Sequence, residues 1–391
     1  MRVLIAPDSF KESLSSNQAA TAIASGLRSV IPDIETIEFA IGDGGEGTTE
    51  VLVNALHGTL VSEEVSDAQG RSIKAQYGLL PAQGETPARA VIEIAAASGL
   101  EHLPLAQRCP LTASSFGTGQ LVLAALDQGV REFIIALGGS ATNDGAAGIL
   151  QALGCRFFTA TGEVKKRISP RQFPQLTRID LTGLDPRLSQ CRFAVACDVN
   201  NPLLGERGAS TVFGPQKGAS AADVAWLDKA LANYADLLEQ ACGSFERDRP
   251  GAGAAGGAGF GLMLALNAQF SGGVDLVLDS LAIDELLSEV DLVISGEGCL
   301  DSQSFAGKAP FGVARRAEAQ GKPIILITGI LGEHYTELNL PGVNAAFPSI
   351  AKLAPMKQTL ETAATNLRRT AAEIAKTLQL GRRLATTTSK S

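Results

Sequence analysis

One stretch carries the strongest structural signal in the chain: Glu132-Phe-Ile-Ile-Ala-Leu-Gly-Gly-Ser-Ala-Thr-Asn-Asp-Gly-Ala-Ala-Gly148. Its apolar part, Phe133 to Leu137, predicts a buried strand, which Gly138 and Gly139 then break. The small residues that follow predict a helix. A strand that passes through a glycine loop into a helix directs backbone N–H groups towards one point, which suits a phosphate. The stretch therefore predicts an anion-binding loop, and a plain surface turn with helix-capping Ser and Asn side chains is the alternative.

Composition limits the classes of protein to which the chain can belong. Its 391 residues exceed the usual size of one hydrophobic core, so two domains are expected. The net charge of −8 argues against a general nucleic-acid-binding surface. No apolar run is long enough to span a bilayer, and we see no secretory signal. The six cysteines include no Cys-x-x-Cys pair, and none of the three histidines has zinc-ligand spacing. We therefore expect a reduced, cytoplasmic protein without a zinc site or a membrane partner.

The first strand of the chain ends in a polar loop. Residues 2–6 predict a short apolar strand. Asp8, Ser9 and Lys11 follow it, before a helix that starts near Ser15 or Ser16, either of which is a good N-cap. Ligands of open α/β sheets bind at this end of the strands. The three side chains are therefore candidate site residues, and a solvated loop is the alternative interpretation.

The second strand leads into a glycine-rich loop, Gly42-Asp-Gly-Gly-Glu-Gly47, whose glycines formally match a dinucleotide-binding motif. Asp43 and Glu46 lie inside this loop, and their carboxylates would repel a bare pyrophosphate. A divalent cation between carboxylate and phosphate removes that conflict. The loop therefore favours a nucleotide bridged by a metal over NAD, with Gly44 and Gly45 as candidate nucleotide-binding residues. A glycine-rich turn with exposed acids stays an alternative.

Three later segments carry further polar residues at strand ends or in tight turns. Residues 192–197 predict a buried strand that delivers Asp198 and Asn200, although an Asp at this position is also a frequent turn former. Lys217 stands beside a glycine in a turn, where it could reach a phosphate or lie in solvent. A strand at 292–294 delivers Glu297 and Asp301. The glycine-dense segment 249–261 lacks a preceding strand. Ligand contact, close helix packing, a hinge and a linker are all open for it.

Polar-apolar alternation between Val61 and Gln83 indicates antiparallel strands and a change of domain. The predicted fold class is α/β with two α/β domains. A Rossmann-like parallel-sheet domain is formed by both chain ends (1–70 and 286–380), and a second, mixed α/β domain (71–285) is inserted. We expect the active site in the cleft between them, and a disordered tail at 381–391.

Six segments together resemble the bacterial type-1 glycerate kinases. In chain order they are Ala6-Pro-Asp-Ser-Phe-Lys-Glu-Ser13, Ile41-Gly-Asp-Gly-Gly-Glu-Gly-Thr48, Leu137-Gly-Gly-Ser-Ala-Thr-Asn-Asp-Gly145, Cys197-Asp-Val-Asn-Asn-Pro-Leu203, Phe213-Gly-Pro-Gln-Lys-Gly218 and Ser295-Gly-Glu-Gly-Cys-Leu-Asp301. The resemblance extends from Met1 to about Leu378. It implies ATP- and Mg2+-dependent phosphorylation of D-glycerate to 2-phosphoglycerate, in glyoxylate and aldarate catabolism. One local departure is Ala146, where glycine is common in the family.

Phosphoryl transfer needs neutralised phosphates, a metal ion and a base near the attacking hydroxyl, and these needs assign the residue roles. Our hypothesis makes Asp198 the base, with Lys11 and Asp8 as further catalytic candidates. Candidate Mg2+ ligands are Asp43, Glu297 and Asp301. Candidate substrate- or nucleotide-binding residues are Ser9, Gly44, Gly45, Gly138, Gly139, Ser140, Asn143, Asp144, Asn200 and Lys217.

Other functions stay open at this point. The phosphate could go to the other hydroxyl and give 3-phosphoglycerate. An NAD-dependent oxidoreductase of a small hydroxy acid would use the loop Gly42–Gly47, and a non-catalytic sugar-acid sensor would bind glycerate without turnover. Homo-oligomerisation and the range of accepted hydroxy acids are also left open.

Overall fold

The computed structural model describes residues 1–42, 45, 47–300, 308–332 and 341–388. The strands are β1 (Arg2–Ile5), β2 (Glu35–Glu38), β3 (Thr59–Ser66), β4 (Ser72–Leu80), β5 (Arg89–Glu93), β6 (Glu132–Ala136), β7 (Arg156–Thr159), β8 (Gly162–Glu163), β9 (Leu176–Asp180), β10 (Arg192–Ala196), β11 (Gln269–Ser271), β12 (Leu292–Ser295), β13 (Cys299–Leu300), β14 (Ile324–Thr328), β15 (Ile330–Leu331) and β16 (Ala345–Pro348). The α-helices are α1 (Ser16–Arg28), α2 (Thr48–Ala55), α3 (Ile94–Ser98), α4 (Phe116–Asp127), α5 (Ala147–Ala152), α6 (Ala209–Phe213), α7 (Ala221–Cys242), α8 (Ala254–Leu266), α9 (Gly273–Ser280), α10 (Ile283–Ser288), α11 (Ala309–Ala319), α12 (Met356–Glu361) and α13 (Ala363–Thr388).

The two ends of the chain form unit 1, which comprises Met1–Asp43 and Val277–Ser391. Its sheet has the order β16-β14-β12-β1-β2, and every pair of neighbours is parallel. Helix α1 begins as predicted, because the Ser15 side chain accepts from the backbone N–H of Gln18 in a capping box. It then packs against α13, which covers the same core. Parallel strands place all their carboxyl ends on one edge, so the loops after β1, β12, β14 and β16 lie together.

Unit 2 comprises Gly44–Leu276 and contains a mixed sheet of order β11-β10-β6-β5-β4-β3. Strands β3 and β4 are antiparallel, as the alternation predicted, whereas β5, β6, β10 and β11 are mutually parallel. A small sheet of order β8-β7-β9 is formed by the polar segment 156–180. The predicted mixed α/β character of the inserted domain is confirmed. Within the described ranges, no helix combines the length and apolar character that crossing a bilayer requires.

The boundaries between the units differ from the predicted ones. The first falls at residue 43 instead of 70, because β3 pairs with β4 and α2 packs on β4 and β5. The second falls at residue 276 instead of 285. The predicted disordered tail at 381–391 is also wrong in part, since α13 continues to Thr388. Leu, Arg and Ala around Gly381 are strong helix formers, and they outweigh that one glycine.

The glycine-dense segment is a packing element of unit 2 and not a linker. Its residues 255–257 leave helical geometry and take positive φ values at the start of α8. A Cβ on Gly256 would stand 2.0 Å from the carbonyl oxygen of Thr142. Only glycine therefore allows α8 to approach the loop between β6 and α5 so closely. The segment therefore packs against one side of the predicted anion-binding loop between β6 and α5.

Candidate active site

Polar residues of unit 1 gather at the carboxyl edge of its parallel sheet, as predicted. Strand β1 is followed by Asp8, Ser9 and Lys11, and the neighbouring strand β12 is followed by Glu297. The backbone N–H of Asp8 donates to the carbonyl of Gly296 (2.9 Å), which holds the two loops side by side. The carboxylate of Asp8 accepts from the N–H of Ser9 (2.6 Å). Asp8, Ser9, Lys11 and Glu297 all line one cavity of about 490 Å³.

Glu297 is the buried charge of this cluster. Its side chain is 5% exposed, and its Oε2 accepts from the ammonium of Lys308 at 2.9 Å. Its other oxygen, Oε1, is buried without a hydrogen-bond partner among the described residues. A buried carboxylate oxygen with an open coordination position fits a hard cation such as Mg2+. Lys308, at the N-terminal end of α11, is absent from the predicted site residues.

The other predicted metal ligands, Asp43 and Asp301, lie outside the described residues, as does the nucleotide-binding candidate Gly44. Among the residues that are described, no group of three His, Cys, Asp or Glu side chains could hold a metal ion. A Mg2+ site needs no such group of three, because this ion is usually held by one or two carboxylates together with water and substrate phosphate.

A second cluster lies at the carboxyl edge of the unit 2 sheet. Strand β6 is followed by Gly138, Gly139 and Ser140, and the adjacent parallel strand β10 is followed by Asp198 and Asn200. Gly138, Gly139, Asp198 and Asn200 are exposed, whereas Ser140 is buried. The carboxylate of Asp198 accepts from the N–H of Gly273 at 2.7 Å, at the first residue of α9. This hydrogen bond fixes the position of the Asp198 side chain at the strand end.

The loop between β6 and α5 carries Asn143 and Asp144, and both residues are buried inside unit 2. Asp144 is fully buried, and its Oδ2 accepts from the N–H and Oγ of Ser115 and from the N–H of Gly148. The amide of Asn143 donates to Ser210 Oγ (2.9 Å). Both side chains are held by the protein, but Asn143 Oδ1 and Asp144 Oδ1 are buried without a hydrogen-bond partner among the described residues, so their substrate- or nucleotide-binding roles stay predictions. The start of α5 is likewise satisfied internally instead of facing a phosphate.

Lys217, which the sequence predicts as a substrate- or nucleotide-binding residue, makes contacts inside the protein, and its binding role stays a prediction. Its side chain is 2% exposed, and its ammonium donates to Ser140 Oγ (2.9 Å) and to the carbonyl of Thr142 (2.7 Å). Burial lowers the pKa of Lys217 to about 7, and the attraction of Asp144 opposes this shift. Burial raises the pKa of Asp144 in turn, against the hydrogen bonds from Ser115. Lys217 therefore fixes the shape of the loop behind Gly138 and Gly139.

Replacing Lys217 by methionine is expected to flatten the pH dependence of stability between about pH 7 and pH 8.5. The pKa of Lys217 is about 7 in the folded protein and 10.5 in its ordinary state. Between these values the unfolded chain binds more protons, so the free energy of unfolding rises with pH. Urea unfolding at several pH values measures the slope. Unfolded thiols begin to ionise in the upper part of this range and lower the slope equally in wild type and variants, so the difference in slope between proteins reports Lys217. Lys229→Met, an exposed lysine on α7, is the control; equal slopes in all three proteins would contradict this assignment.

The hydrogen bonds of the loop before α2 do not fit a dinucleotide-binding site. The N–H of Thr49 donates to Glu93 Oε1 at 2.7 Å, and the N–H of Gly47 donates to Glu93 Oε2 at 3.3 Å. A carboxylate thus occupies the helix start where the pyrophosphate of NAD would bind. The carbonyl of Gly45, the described part of the predicted nucleotide loop, accepts from Thr48 at 3.4 Å. The oxidoreductase alternative therefore loses its structural basis.

Comparison with known proteins identifies the family. A family model described as the glycerate kinase family matches residues 3–379. The chain belongs to the glycerate kinase family. A glycerate kinase of Haemophilus influenzae is 46% identical over 97% of this chain and 99% of its own length. A glycerate 2-kinase of Escherichia coli is 43% identical over 98% of this chain and 100% of its own.

A solved structure confirms the predicted α/β fold class. The structure assigned as glycerate kinase 2 of Salmonella typhimurium LT2 has a TM-score of 0.88 and 45% identity, and covers 98% of this chain and 99% of its own. The resemblance drawn from the six sequence segments is thereby confirmed for the whole chain.

Proposed function

We propose that this glycerate kinase family member transfers the γ-phosphoryl group of ATP to the C2 hydroxyl of D-glycerate. The products are ADP and 2-phosphoglycerate. The observation that carries the proposal is the unit 1 cavity, which combines Lys11, Lys308 and the open oxygen of Glu297. Two cations and a metal-binding carboxylate are what a magnesium-bound triphosphate requires. The Escherichia coli relative, named a glycerate 2-kinase, supports the choice of acceptor and hydroxyl.

Each candidate residue has its own proposed chemical role. Lys11 and Lys308 neutralise charge on the phosphates, with Asp8 as a further catalytic candidate and Ser9 as a substrate- or nucleotide-binding candidate in the same cavity. Glu297 would hold Mg2+, with Asp43 and Asp301 as further proposed ligands, and such an ion would supply positive charge to the transferring phosphoryl group. Asp198 accepts the proton of the C2 hydroxyl while the oxygen forms its bond to phosphorus and the bond to ADP breaks.

The remaining proposed contacts belong to the exposed part of the loop after β6 and to the strand-end residue beside Asp198. Gly138 and Gly139 would offer backbone N–H groups to phosphate, with Ser140 held behind them by Lys217. Asn200 would bind the acceptor acid, since it is exposed and lies two residues from Asp198. A neutral amide binds the oxygens of an acid without adding negative charge.

The proposed location is the cytoplasm. All six cysteines, which lie within the described residues, are free thiols. Such thiols suit a reducing compartment, where ATP is also available. The part in glyoxylate and aldarate catabolism, and homo-oligomerisation, stay predictions of the sequence.

The proposal is tested by following ADP release with MgATP and D-glycerate, beside reactions without glycerate and with EDTA. We expect turnover that depends on both the acid and the metal. Phosphorus NMR of the product then distinguishes phosphorylation at C2 from phosphorylation at C3. Folded protein that turns over none of a panel of small hydroxy acids would refute the proposed activity.

A further inference from the structure

The unit 1 cavity is larger and more apolar than phosphate binding requires. Its polar end holds Lys11, Glu297 and Lys308, whereas its far wall comes from the loops after β14 and β16 and from the start of α12. The volume of about 490 Å³ lies in the range of cavities that take drug-sized organic molecules. A small acid and a phosphate group would leave the far wall empty.

Exposed apolar side chains are concentrated on that wall. Ile330 is 46% exposed, Met356 is 73% exposed and Leu353 is wholly exposed, and all three line the cavity. Large apolar side chains that are exposed together mark a binding surface more often than singly scattered ones do. An apolar ligand group that covers them would gain the free energy of removing this surface from water.

The wall is fixed to the sheet and to the polar end. The N–H of Ile350 donates to the carbonyl of Gly329 at 3.2 Å, and the N–H of Ser349 donates to that of Thr328 at 2.7 Å. On the other side, Ser13 Oγ donates to the carbonyl of Leu360 at 3.2 Å, which ties α12 to the loop of Lys11. The apolar wall and the cationic end are therefore held at a fixed separation.

The ligand has to match both ends of the cavity. D-Glycerate carries an oxygen on each of its three carbons, so it offers nothing to Ile330, Leu353 or Met356. A nucleoside triphosphate carries a flat, largely apolar base at one end and a highly charged phosphate chain at the other. Charge complementarity places the phosphates at Lys11 and Lys308, and the base then lies against the apolar wall.

We propose that this cavity is the nucleoside subsite, with the base of ATP on Ile330, Leu353 and Met356. The inference rests on the proposed function only for the identity of the phosphoryl donor. Because the wall is apolar, the base is held by burial, and the phosphates supply the orientation. Lys352 also lines the cavity and adds a third cation at its rim.

The test is the double variant Leu353→Ser, Met356→Ser, compared with Leu380→Ser. Leu380 is also an exposed leucine of unit 1, but it does not line the cavity. Calorimetry with MgADP measures nucleotide affinity without turnover, and steady-state kinetics give the KM values for ATP and D-glycerate. We expect the double variant to bind MgADP about tenfold more weakly and to raise KM for ATP about tenfold. KM for D-glycerate and the melting temperature should stay unchanged, because the replaced side chains are exposed.

Three results would overturn the inference. Wild-type protein that does not bind MgADP has no nucleoside subsite, and unchanged MgADP affinity in the double variant places the base elsewhere. A rise in KM for D-glycerate alone assigns the cavity to the acid. Wild-type protein that binds MgADP but does not phosphorylate D-glycerate refutes the proposed acceptor only; weaker MgADP binding by the double variant then still supports the subsite.

Discussion

Asp198→Asn is expected to lower kcat by about 10²–10⁴-fold, which is the usual contribution of a general base. The amide cannot accept the proton of the attacking hydroxyl at neutral pH. Its oxygen can still accept from the N–H of Gly273, so the start of α9 keeps its hydrogen bond. Steady-state kinetics should therefore show a loss in kcat, while KM for ATP and the melting temperature change little.

Asp228→Asn is the matched control for this variant. Asp228 also accepts a backbone N–H, that of Gly205 at 3.1 Å, but it lies on α7 and not at a strand end. The control should keep wild-type kcat. Near-normal turnover by Asp198→Asn would remove Asp198 from the role of base and direct attention to the other acids at the strand ends.

Glu297→Gln is expected to lower kcat/KM for ATP by about 10²–10³-fold, the cost of losing one electrostatic stabiliser of the transition state. The Mg2+ concentration that gives half-maximal rate should rise as well. A neutral amide is a weaker ligand for a hard cation than the open carboxylate oxygen of Glu297 is. The glutamine oxygen can still accept from Lys308, whose side chain is 32% exposed, so we expect the fold to persist.

The rate is measured as a function of free Mg2+ at saturating D-glycerate. The control is Glu289→Gln, which removes a carboxylate that pairs with Arg2 at 2.6 Å in the same unit. This exposed pair contributes little to stability and has no part in the proposed site. Wild-type Mg2+ dependence in Glu297→Gln would show that its open oxygen does not serve the metal.

Local sequence signals predicted that the candidate residues Asp8, Asp198 and Glu297 follow the ends of strands. The strands before Asp8, Asp198 and Glu297 are short apolar runs, and such runs need only neighbouring residues to be recognised. The start of α1 directly after Ser15 followed from capping chemistry alone. The order of these segments was also sufficient to recognise the family. The fold class and the strand-end location of the candidates are thus properties that short stretches of sequence carry.

The directions of the buried side chains could not be predicted in the same way. Lys217 meets Thr142 across 75 residues, and Asn143 meets Ser210 across 67. Contacts of that separation depend on how the helices and loops of unit 2 pack, which the local pattern does not record. An isolated lysine in a turn looks the same whether its ammonium faces solvent or a buried carbonyl. The apolar wall at Leu353 and Met356 had no sequence signal, because it becomes distinctive only through exposure beside charged groups.

The strand order of unit 1 determines when its sheet can form during synthesis on the ribosome. Strand β1 lies between β2 and β12, yet β12 follows it about 290 residues later. Translation proceeds at about 5–20 residues per second, so β12 is synthesised about 15 to 60 s after β1. Two parallel strands are not stable alone, whereas unit 2 is contiguous and can fold during that interval. The apolar side chains of Val3, Leu4 and Ile5, which are buried in the folded sheet, therefore lack their partner strand β12 during this time.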